Sequence, residues 1–170
     1  EGLTLQDKKL ISYLDKEKIP FMVVVNKVDL VERRFRKDLE RDLNEALRLC
    51  SHAPVLYISA LKGIKLDRIL PLASLIWDEC AIRVPTGKLN RAMEEVLTRH
   101  QPPVVKRRRA KFYYLTQVDT RPPTFLFFVN DPERVKESYA RYVENSLRKL
   151  FELKHAPLRI VYRAAHEKKG

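Results

Sequence analysis

Residues Asn26-Lys27-Val28-Asp29 directly follow an apolar run at residues 21–25. A carboxylate at the end of a buried strand offers two acceptor oxygens side by side. Guanine presents a ring N–H and an exocyclic amine as a matching donor pair. Adenine lacks this pair and would leave a buried Asp29 unpaired, at a cost of a few kcal/mol. Because the Lys27 stem can lie along a base and the Asn26 amide can bond base and loops, the tetrad predicts guanine recognition.

A second motif supports this interpretation. A four-residue motif alone also occurs by chance in surface turns, where its charged residues are merely solvated. Here a second short apolar run, residues 55–58, leads into the loop Ser59-Ala60-Leu61. Two consecutive strands that each end in a polar loop place both loops at the carboxyl edge of a parallel sheet, where ligands bind. We expect the backbone N–H of Ala60 to meet the guanine carbonyl oxygen, with Ser59 and Leu61 beside it.

The glycines limit the chemistry that the chain can perform. Phosphoryl transfer needs a phosphate cradle and a metal ion, and a G-x-x-x-x-G-K-[ST] loop needs two glycines five residues apart. The chain has four glycines, at positions 2, 63, 87 and 170, and none has this spacing. We therefore expect no catalytic residue in this chain and no GTP hydrolysis by it alone. It is interpreted as the base-recognising half of a GTPase, cut from a longer protein.

Length and composition indicate a globular protein. The chain has 170 residues, of which 45% are hydrophobic, so we expect one or two domains. We find no membrane-spanning stretch and no signal peptide, so the expected location is the cytoplasm without a membrane partner. Cys50 and Cys80 lie in apolar helical stripes and are predicted to be buried thiols. The histidines show no metal-ligand spacing with them, so we predict no metal site.

Positive charge is concentrated in the second half of the chain. Residues 1–80 carry 14 Lys and Arg against 13 Asp and Glu, whereas residues 81–170 carry 20 against 9. A one-sided excess of this kind is typical of proteins that bind phosphate backbones. Solubility alone is the alternative explanation.

Helices and strands alternate in residues 1–80, which predicts the C-terminal half of a parallel α/β domain. Thr4 and Asp7 resemble a capping box that opens a helix with one apolar face. Two strands do not make an adequate sheet, so we expect partner strands outside this chain. An unpaired edge at residues 21–25 predicts self-association or noncovalently bound missing segments. The predicted inward positions are Leu10, Ile11 and Leu14 in the first helix, Phe35, Leu39, Leu43, Ala46, Leu47 and Cys50 in the second, and Leu66, Ile69, Leu70, Ala73, Ile76, Trp77 and Cys80 in the third.

Residues 81–170 have the order helix, strand, strand, helix, strand, which predicts an α+β domain with a three-stranded sheet. An apolar stripe from Leu89 to Leu97 marks the first helix. Asp131 and Pro132 are predicted to cap a long second helix, and we expect the tail at 167–170 to be frayed. Aromatic residues mark the first two strands, at 112–118 and 125–129, and residues 158–162 form the last. We expect these aromatics to pack in the core rather than stack on bases: Phe112, Tyr113, Tyr114, Phe125, Phe127 and Phe128.

With these motifs the sequence resembles the C-terminal portion of the Der (EngA) family of bacterial ribosome-assembly GTPases, which have two tandem GTPase domains and a KH-like domain. The resemblance covers nearly the whole chain. Residues 1–80 are similar to the later half of the second GTPase domain, and residues 81–170 to the KH-like domain. Beyond the two base motifs, the matching segments are Glu1-Gly2-x-Thr4-x-Gln6-Asp7, Pro85-Thr86-x-Lys88-Leu89-Asn90, Thr116-Gln117-Val118, Thr120-Arg121-Pro122-Pro123-Thr124-Phe125, Phe128-Val129-Asn130-Asp131-Pro132-Glu133 and Tyr142-x-Glu144-Asn145-x-Leu147-Arg148.

The resemblance implies that the parent protein binds GTP or GDP with Mg²⁺, hydrolyses GTP and matures the large ribosomal subunit. The implied partners are that subunit, its ribosomal RNA and the N-terminal GTPase domains of the same protein. Two departures from the family pattern stand out. Lys65 occupies a position where the family often has a second glycine after Gly63. The G-x-x-G loop of conventional KH domains is also missing, so RNA contact by another surface and simple packing on the GTPase domains both remain open.

One basic run could contact RNA. Lys106, Arg107, Arg108, Arg109 and Lys111 place five cations in six positions, and guanidinium groups bridge phosphate oxygens well. A merely solvated run is the alternative. Two other functions also stay open for the chain. One is a stand-alone RNA-binding or scaffold module with vestigial guanine contacts. The other is an ATP-dependent enzyme, which Asp29 disfavours.

Overall fold

The computed structural model describes residues 2–48 and 50–165, apart from the side chains of residues 33–35. The predictions for Phe35 and for the tail at 167–170 therefore lie outside the described residues. The chain divides into two compact units. The first comprises Glu1–Cys80 with His155–Pro157, and the second comprises Ala81–Lys154 with Leu158–Gly170.

The first unit is an α/β arrangement around a short parallel sheet. Val23 pairs with Val55 and Val25 with Tyr57, so both strands run in the same direction. The predicted parallel pair is confirmed, although each strand is shorter than its apolar run. The elements are α1 Leu5–Glu17, β1 Val23–Val25, α2 Arg33–Ala46, β2 Val55–Tyr57 and α3 Ile69–Cys80.

The capping box of α1 is confirmed. The Thr4 hydroxyl accepts a hydrogen bond from the Asp7 N–H at 3.2 Å, and the Asp7 carboxylate accepts one from the Thr4 N–H at 2.8 Å. The Thr4 hydroxyl also donates to the Asp7 carboxylate at 2.7 Å, and this bond, followed by the bond from the Thr4 N–H, favours the ionised carboxylate and lowers the pKa of Asp7. On the predicted apolar face Ile11 is buried, but Leu10 is exposed, which corrects that assignment.

Small clusters form the core of the first unit. The predicted stripe of α2 is confirmed in part. Leu43 is buried and Leu39 and Ala46 are half-buried, but α2 ends at Ala46, so the buried Leu47 and Cys50 lie beyond the helix. Cys50 and Cys80 are both buried, as predicted, although only Cys80 lies in a helix. Burial raises the pKa of the Cys50 thiol, and the nearby charge of Asp15 adds to the effect.

The prediction for α3 is wrong at three positions. Trp77 is 54% exposed rather than buried in the core, and Leu70 is also exposed. The exposed Leu66 lies before α3, in the 3-10 turn Leu66–Arg68. Apolar residues cover much of the circumference of this helix, while the core of the unit meets only one arc. That arc comprises Leu72, Ile76 and Cys80, which recur at four-residue spacing.

The second unit is an α+β domain around a three-stranded sheet. Its strands are ordered β5-β6-β7, with β5 and β6 antiparallel and β6 and β7 parallel. The predicted order and three-stranded sheet are confirmed. The elements are α4 Thr86–Arg99, β3 Val104–Val105, β4 Arg108–Arg109, β5 Phe112–Asp119, β6 Thr124–Val129, α5 Glu137–Leu150 and β7 Arg159–Ala164.

One continuous cluster fills the second unit. Phe125 and Phe127 from the central strand and Leu147 from α5 are fully buried. The predicted stripe of α4 is confirmed by the burial of Leu89, Ala92, Met93 and Val96. Tyr139 is buried and donates its hydroxyl to the His100 carbonyl at 2.7 Å. Burial raises its pKa to about 12, with a smaller effect from Tyr142.

The second unit corrects two predictions and contains one hairpin that was not predicted. Tyr113 and Tyr114 are exposed, because an irregularity between Phe112 and Tyr114 in β5 shifts the alternation of inward and outward side chains. Asp131 caps a 3-10 turn, Pro132–Arg134, and α5 begins only at Glu137. Strands β3 and β4 form a hairpin, although its loop contains no Gly, Asn, Asp or Pro to indicate a turn in the sequence.

Candidate functional site

The two sheet strands bring both predicted base motifs to one edge. Because β1 and β2 are parallel, their carboxyl ends lie side by side. Asn26 follows β1 directly, and Ser59 follows β2 after Ile58. Backbone bonds connect the two chain segments beyond the strands. The Ile58 N–H donates to the Val25 carbonyl at 2.8 Å, and the Val28 N–H donates to the Ile58 carbonyl at 3.1 Å.

Asn26 joins the two motifs. Its Oδ1 accepts a hydrogen bond from the Lys27 N–H at 2.7 Å and another from the Ala60 N–H at 3.0 Å. Within residues 2–48 and 50–165, its Nδ2 group has no hydrogen-bond partner, and the side chain is exposed. The carbonyl end of the amide therefore fixes the loops, while the NH₂ end can donate to a ligand.

Asp29 lies in the 3-10 turn Val28–Leu30, directly beyond β1. Its side chain is half-buried, not buried as the sequence-based argument assumed. A side-chain hydrogen bond with the buried Ser59 is the main cause that lowers the pKa of Asp29. The carboxylate is therefore ionised at neutral pH, and its remaining lone pairs suit two adjacent N–H donors. This donor requirement fits guanine.

The loop after β2 is held in a compact turn. Ser59 is fully buried, and its backbone exchanges two hydrogen bonds with Ile64, at 3.2 and 3.0 Å. The Ser59 hydroxyl oxygen also accepts from the Lys62 N–H at 3.2 Å. This turn leaves Leu61 89% exposed. The N–H of Ala60, predicted to meet a guanine carbonyl, is engaged by Asn26, so a base must share or replace that bond.

Lys27 has a left-handed backbone, with φ 63°, and an exposed side chain. The aliphatic part of the Lys27 side chain can therefore lie along a flat ligand bound between the two motifs, residues 26–29 and 59–61. A separate cleft of about 330 Å³ lies beside Asp29. Of the six predicted base-contacting residues only Asp29 lines it, together with Val28, Val31, Arg36, Leu39, Glu40, Tyr57, Ile64 and Lys65.

The basic run forms the β3–β4 hairpin and the residues that follow it. Lys106, Arg107, Arg108, Arg109 and Lys111 are all exposed, as a phosphate-binding surface requires. Two residues that hold this hairpin were not identified from the sequence: Asn130 and Arg134. They lie 19 and 29 positions from their partners, so no local spacing could indicate the contacts.

Two negative findings concern only the described ranges. None of their helices combines the length and apolar character needed to cross a bilayer. In the same residues no three or more His, Cys, Asp or Glu side chains lie together in a way that could hold a metal ion.

Sequence comparisons cover both units. A family described as the KH-domain-like region of EngA bacterial GTPase enzymes, C-terminal, matches residues 83–163. The elongation factor Tu GTP binding domain family matches residues 1–103. These matches agree with a GTP-binding α/β unit followed by a KH-like unit.

Individual relatives are named GTPase Der. The protein from Nitratidesulfovibrio vulgaris is 55% identical over 168 residues, covering 99% of this chain and 34% of the relative. That from Solidesulfovibrio magneticus is 56% identical over 168 residues, 99% of this chain and 38% of the relative. That from Clostridium perfringens is 42% identical over 169 residues, 98% and 39% respectively. The chain thus spans between a third and two fifths of these relatives, and it belongs to the Der (EngA) family of bacterial GTPases.

Proposed function

We propose that this chain supplies the guanine-recognising half of a GTPase domain in a longer protein. The observation that supports this most directly is the Asn26 side chain, whose Oδ1 accepts from the N–H groups of both Lys27 and Ala60. One side chain thereby ties the two motifs into a single surface. The residues proposed to contact the base are Asn26, Lys27, Asp29, Ser59, Ala60 and Leu61.

Discrimination between bases depends on Asp29. Its carboxylate, oriented by Ser59, accepts from the ring N–H and the exocyclic amine of guanine, which adenine does not offer together. Asn26 donates from its Nδ2, and Lys27 covers one face of the base with its stem. The Ala60 N–H can turn from Asn26 to the base carbonyl.

Catalysis is proposed to need the rest of the parent protein. GTP supplies the phosphate to be transferred, and Mg²⁺ neutralises its developing charge. The residues of this chain fit the base but not the phosphates, because its four glycines, at 2, 63, 87 and 170, form no phosphate loop. We infer that residues 1–170 alone do not hydrolyse GTP.

The parent protein is further proposed to act in the cytoplasm, in the assembly of the large ribosomal subunit. The KH-like unit and the excess of 20 Lys and Arg over 9 Asp and Glu in residues 81–170 support contact with ribosomal RNA. The basic run from Lys106 to Lys111 is the proposed contact. Co-sedimentation of the full-length protein with purified large subunits tests the assignment. No association at low salt contradicts it.

An apolar surface of the first unit is proposed to receive the preceding part of the same domain. A groove of about 380 Å³ is lined by residues of α1, β1 and α2, among them the exposed Leu10 and Val24. Uncovered surfaces of this kind promote association. Residues 1–170 alone should therefore self-associate, and the full-length protein should not do so through this surface. Light scattering that gives a strict monomer at high concentration contradicts the proposal.

The decisive test of guanine recognition is Asp29→Asn in the full-length protein. The amide donates where the carboxylate accepted, so it should weaken guanine-nucleotide binding roughly 100-fold, equivalent to about 3 kcal/mol. It should also favour xanthine nucleotides, which carry a carbonyl in place of the amine. Isothermal titration calorimetry with GDP and XDP measures both effects.

Asp78→Asn is the matched control, because Asp78 is exposed on α3 and the substitution changes the charge equally. It should leave both affinities unchanged. Unaltered guanine preference in Asp29→Asn, or equal affinity of the wild type for GTP and ATP, would refute the proposed base site.

A further inference from the structure

The tip of the β3–β4 hairpin has an unusual composition for its geometry. Val105 pairs with Arg108, which leaves a two-residue loop of Lys106 and Arg107. Both loop residues have positive φ, at 48° and 63°. Two-residue loops with positive φ favour Asn-Gly. In most other residues the Cβ atom crowds the following carbonyl oxygen in the left-handed backbone region. Lys106 and Arg107 therefore occupy loop positions where Asn and Gly would be more stable. Residues that are unfavourable for their local backbone conformation are concentrated at functional sites.

The hairpin is fixed at its base by one short segment. We name residues 104–109 the basic hairpin and residues 130–134 the anchor turn. Arg134 donates from Nη1 to the Val105 carbonyl at 2.9 Å and from Nε to Asp131 at 2.8 Å. Only 17% of the Arg134 side chain is exposed. The guanidinium is thus a largely buried brace that joins the anchor turn to strand β3.

A second pair of bonds holds the chain just beyond the hairpin. The Lys111 N–H donates to Asn130 Oδ1 at 2.8 Å, and the Asn130 N–H donates to the Lys111 carbonyl at 3.0 Å. Arg109 also donates to the Pro102 carbonyl. These contacts lie on both sides of the tip, so its direction is set before any ligand binds.

The tip cations themselves are available. Within the described chain, the side chains of Arg107 and Arg108 have no hydrogen-bond or ion-pair partner, and Arg108 pairs only through its backbone with Val105. Lys106 approaches Glu133 at 3.9 Å, but both side chains are about four-fifths exposed, so water screens this pair. Glu133 is therefore a weak competitor for the same cation that a polyanion would contact.

We propose that the basic hairpin is a preorganised probe for RNA phosphates, with Arg134 and Asp131 as its positioning residues. The proposal rests on the RNA-binding role proposed above, and it adds the preorganised geometry of the contact and the residues that position it. Preorganisation lowers the ordering cost of binding, and the guanidinium fork matches phosphate oxygens in geometry. RNA is favoured over an acidic protein because the whole second half of the chain carries excess positive charge, not only the tip.

The test replaces the tip in the full-length protein by the residues that its geometry prefers, Lys106→Asn with Arg107→Gly. This double substitution removes two charges while keeping or strengthening the hairpin. Binding to a short RNA duplex should weaken roughly tenfold, and the slope of log affinity against log salt should fall in magnitude by about two. Fluorescence anisotropy over a salt series measures both, and circular dichroism checks the fold.

Three single substitutions separate positioning from contact. Arg134→Met should weaken RNA binding several-fold with an unchanged salt slope, because Arg134 is largely buried and releases no counterion. Arg134→Lys should recover part of the loss. Glu133→Gln should strengthen binding about twofold, since it removes the acidic neighbour of Lys106. A salt slope reduced by about one in Arg134→Met would instead make Arg134 a direct contact and overturn its positioning role.

The possible failures are distinguishable. If the wild-type protein does not bind the RNA duplex at all, the RNA-binding role itself fails. If it binds and the tip variant binds equally well, that role stands and the hairpin proposal is overturned. If the tip variant keeps its RNA affinity but loses binding to polyglutamate, the hairpin binds an acidic protein segment and the proposal is also overturned.

Discussion

Asn26 in the first unit and Asn90 in the second both tie two chain segments together, but they use their amide groups differently. Asn90 donates from Nδ2 to the carbonyls of Thr86 and Leu115, at 2.8 and 2.9 Å, and accepts from the Leu115 N–H at 3.0 Å. Asn26 accepts twice through Oδ1, while its Nδ2 has no partner in the described residues. The saturated amide of Asn90 is a structural link, whereas the exposed Nδ2 group of Asn26 remains available for the proposed contact with a base.

The first unit also leaves more large apolar side chains exposed than the second. Among the described residues, twelve large hydrophobic side chains are exposed in the first unit and five in the second. The second unit encloses one continuous core around a three-stranded sheet, whereas the first has small clusters around two strands. Two strands rarely suffice for independent stability. The guanine motifs nevertheless keep their arrangement, because only the ends of two neighbouring strands are needed to place them.

The largest predicted effect concerns the continuous core of the second unit. Phe125 is fully buried, so Phe125→Ala should lower the free energy of unfolding by about 3–5 kcal/mol. Leu70, which is 80% exposed on α3, is the matched site in the first unit. Leu70→Ala should change stability by less than about 0.5 kcal/mol. Denaturant unfolding followed by circular dichroism measures both. A comparable loss at Leu70 would mean that this residue is covered in solution, and the contrast between the units would fail.

A second prediction applies directly to the two asparagines. Asn90→Ala leaves the buried N–H and carbonyl of Leu115 without partners, so it should cost about 2–3 kcal/mol of unfolding free energy. Asn26→Ala removes bonds that are exposed to water and should cost about 1 kcal/mol or less. Its effect on guanine-nucleotide affinity in the full-length protein should be the larger one. Equal destabilisation by both substitutions would show that Asn26 is mainly structural.

The pH dependence of the second unit gives a third prediction. Burial raises the pKa of Tyr139 from 10.0 to about 12. A group whose pKa is raised by folding stabilises the fold below its unfolded pKa, and this contribution is lost as pH rises through the folded value. Stability should therefore decline between pH 10 and pH 12, by about 2 kcal/mol from this residue.

Tyr139→Phe should flatten that decline. It should also lose roughly 1 kcal/mol at pH 7, because the hydrogen bond to the His100 carbonyl disappears. Tyr13→Phe is the control in the first unit, since Tyr13 is 56% exposed on α1. Urea unfolding at several alkaline pH values makes the comparison. An unchanged decline in Tyr139→Phe would assign it to other groups.

The sequence predicted the placement of the guanine motifs because that inference needs only local patterns. Two apolar runs with polar ends predict two parallel strands, and parallel strands bring Asn26 and Ser59 to one edge. The stripe of α4 was predictable for a similar reason, because its apolar residues occupy one face only.

Other features depend on information that the sequence pattern does not contain. The apolar residues of α3 surround the helix, so periodicity could not indicate that Trp77 faces outward. A local irregularity in β5 exposes Tyr113 and Tyr114, and a strict alternation cannot anticipate it. The basic hairpin has Lys-Arg where Asn-Gly is the usual signal. Its brace, Arg134 to Val105, joins residues 29 positions apart through the tertiary fold.

The smallest predicted effect concerns the turn between the proposed guanine site and α3. Lys65 and Gly63 both have positive φ, at 58° and 67°, but only one of them is a glycine. In Lys65 a residue with a Cβ atom adopts the left-handed backbone conformation, which costs about 1–2 kcal/mol. Lys65→Gly removes this cost but adds about 1 kcal/mol of backbone entropy loss on folding. The net result should be a gain of roughly 0.5 kcal/mol in unfolding free energy.

Gly63→Ala should act in the opposite direction, with a loss of about 1 kcal/mol, although no atom lies within 4 Å of the added carbon. The loss therefore comes from the backbone and not from a clash. The tip variant Lys106→Asn with Arg107→Gly relieves the same conformation in the second unit and should also raise stability. If Lys65→Gly is destabilising while the tip variant is stabilising, the Lys65 side chain contributes contacts beside the base site. Thermal unfolding of the three variants shows whether backbone strain or the contacts of the Lys65 side chain have the larger effect on stability.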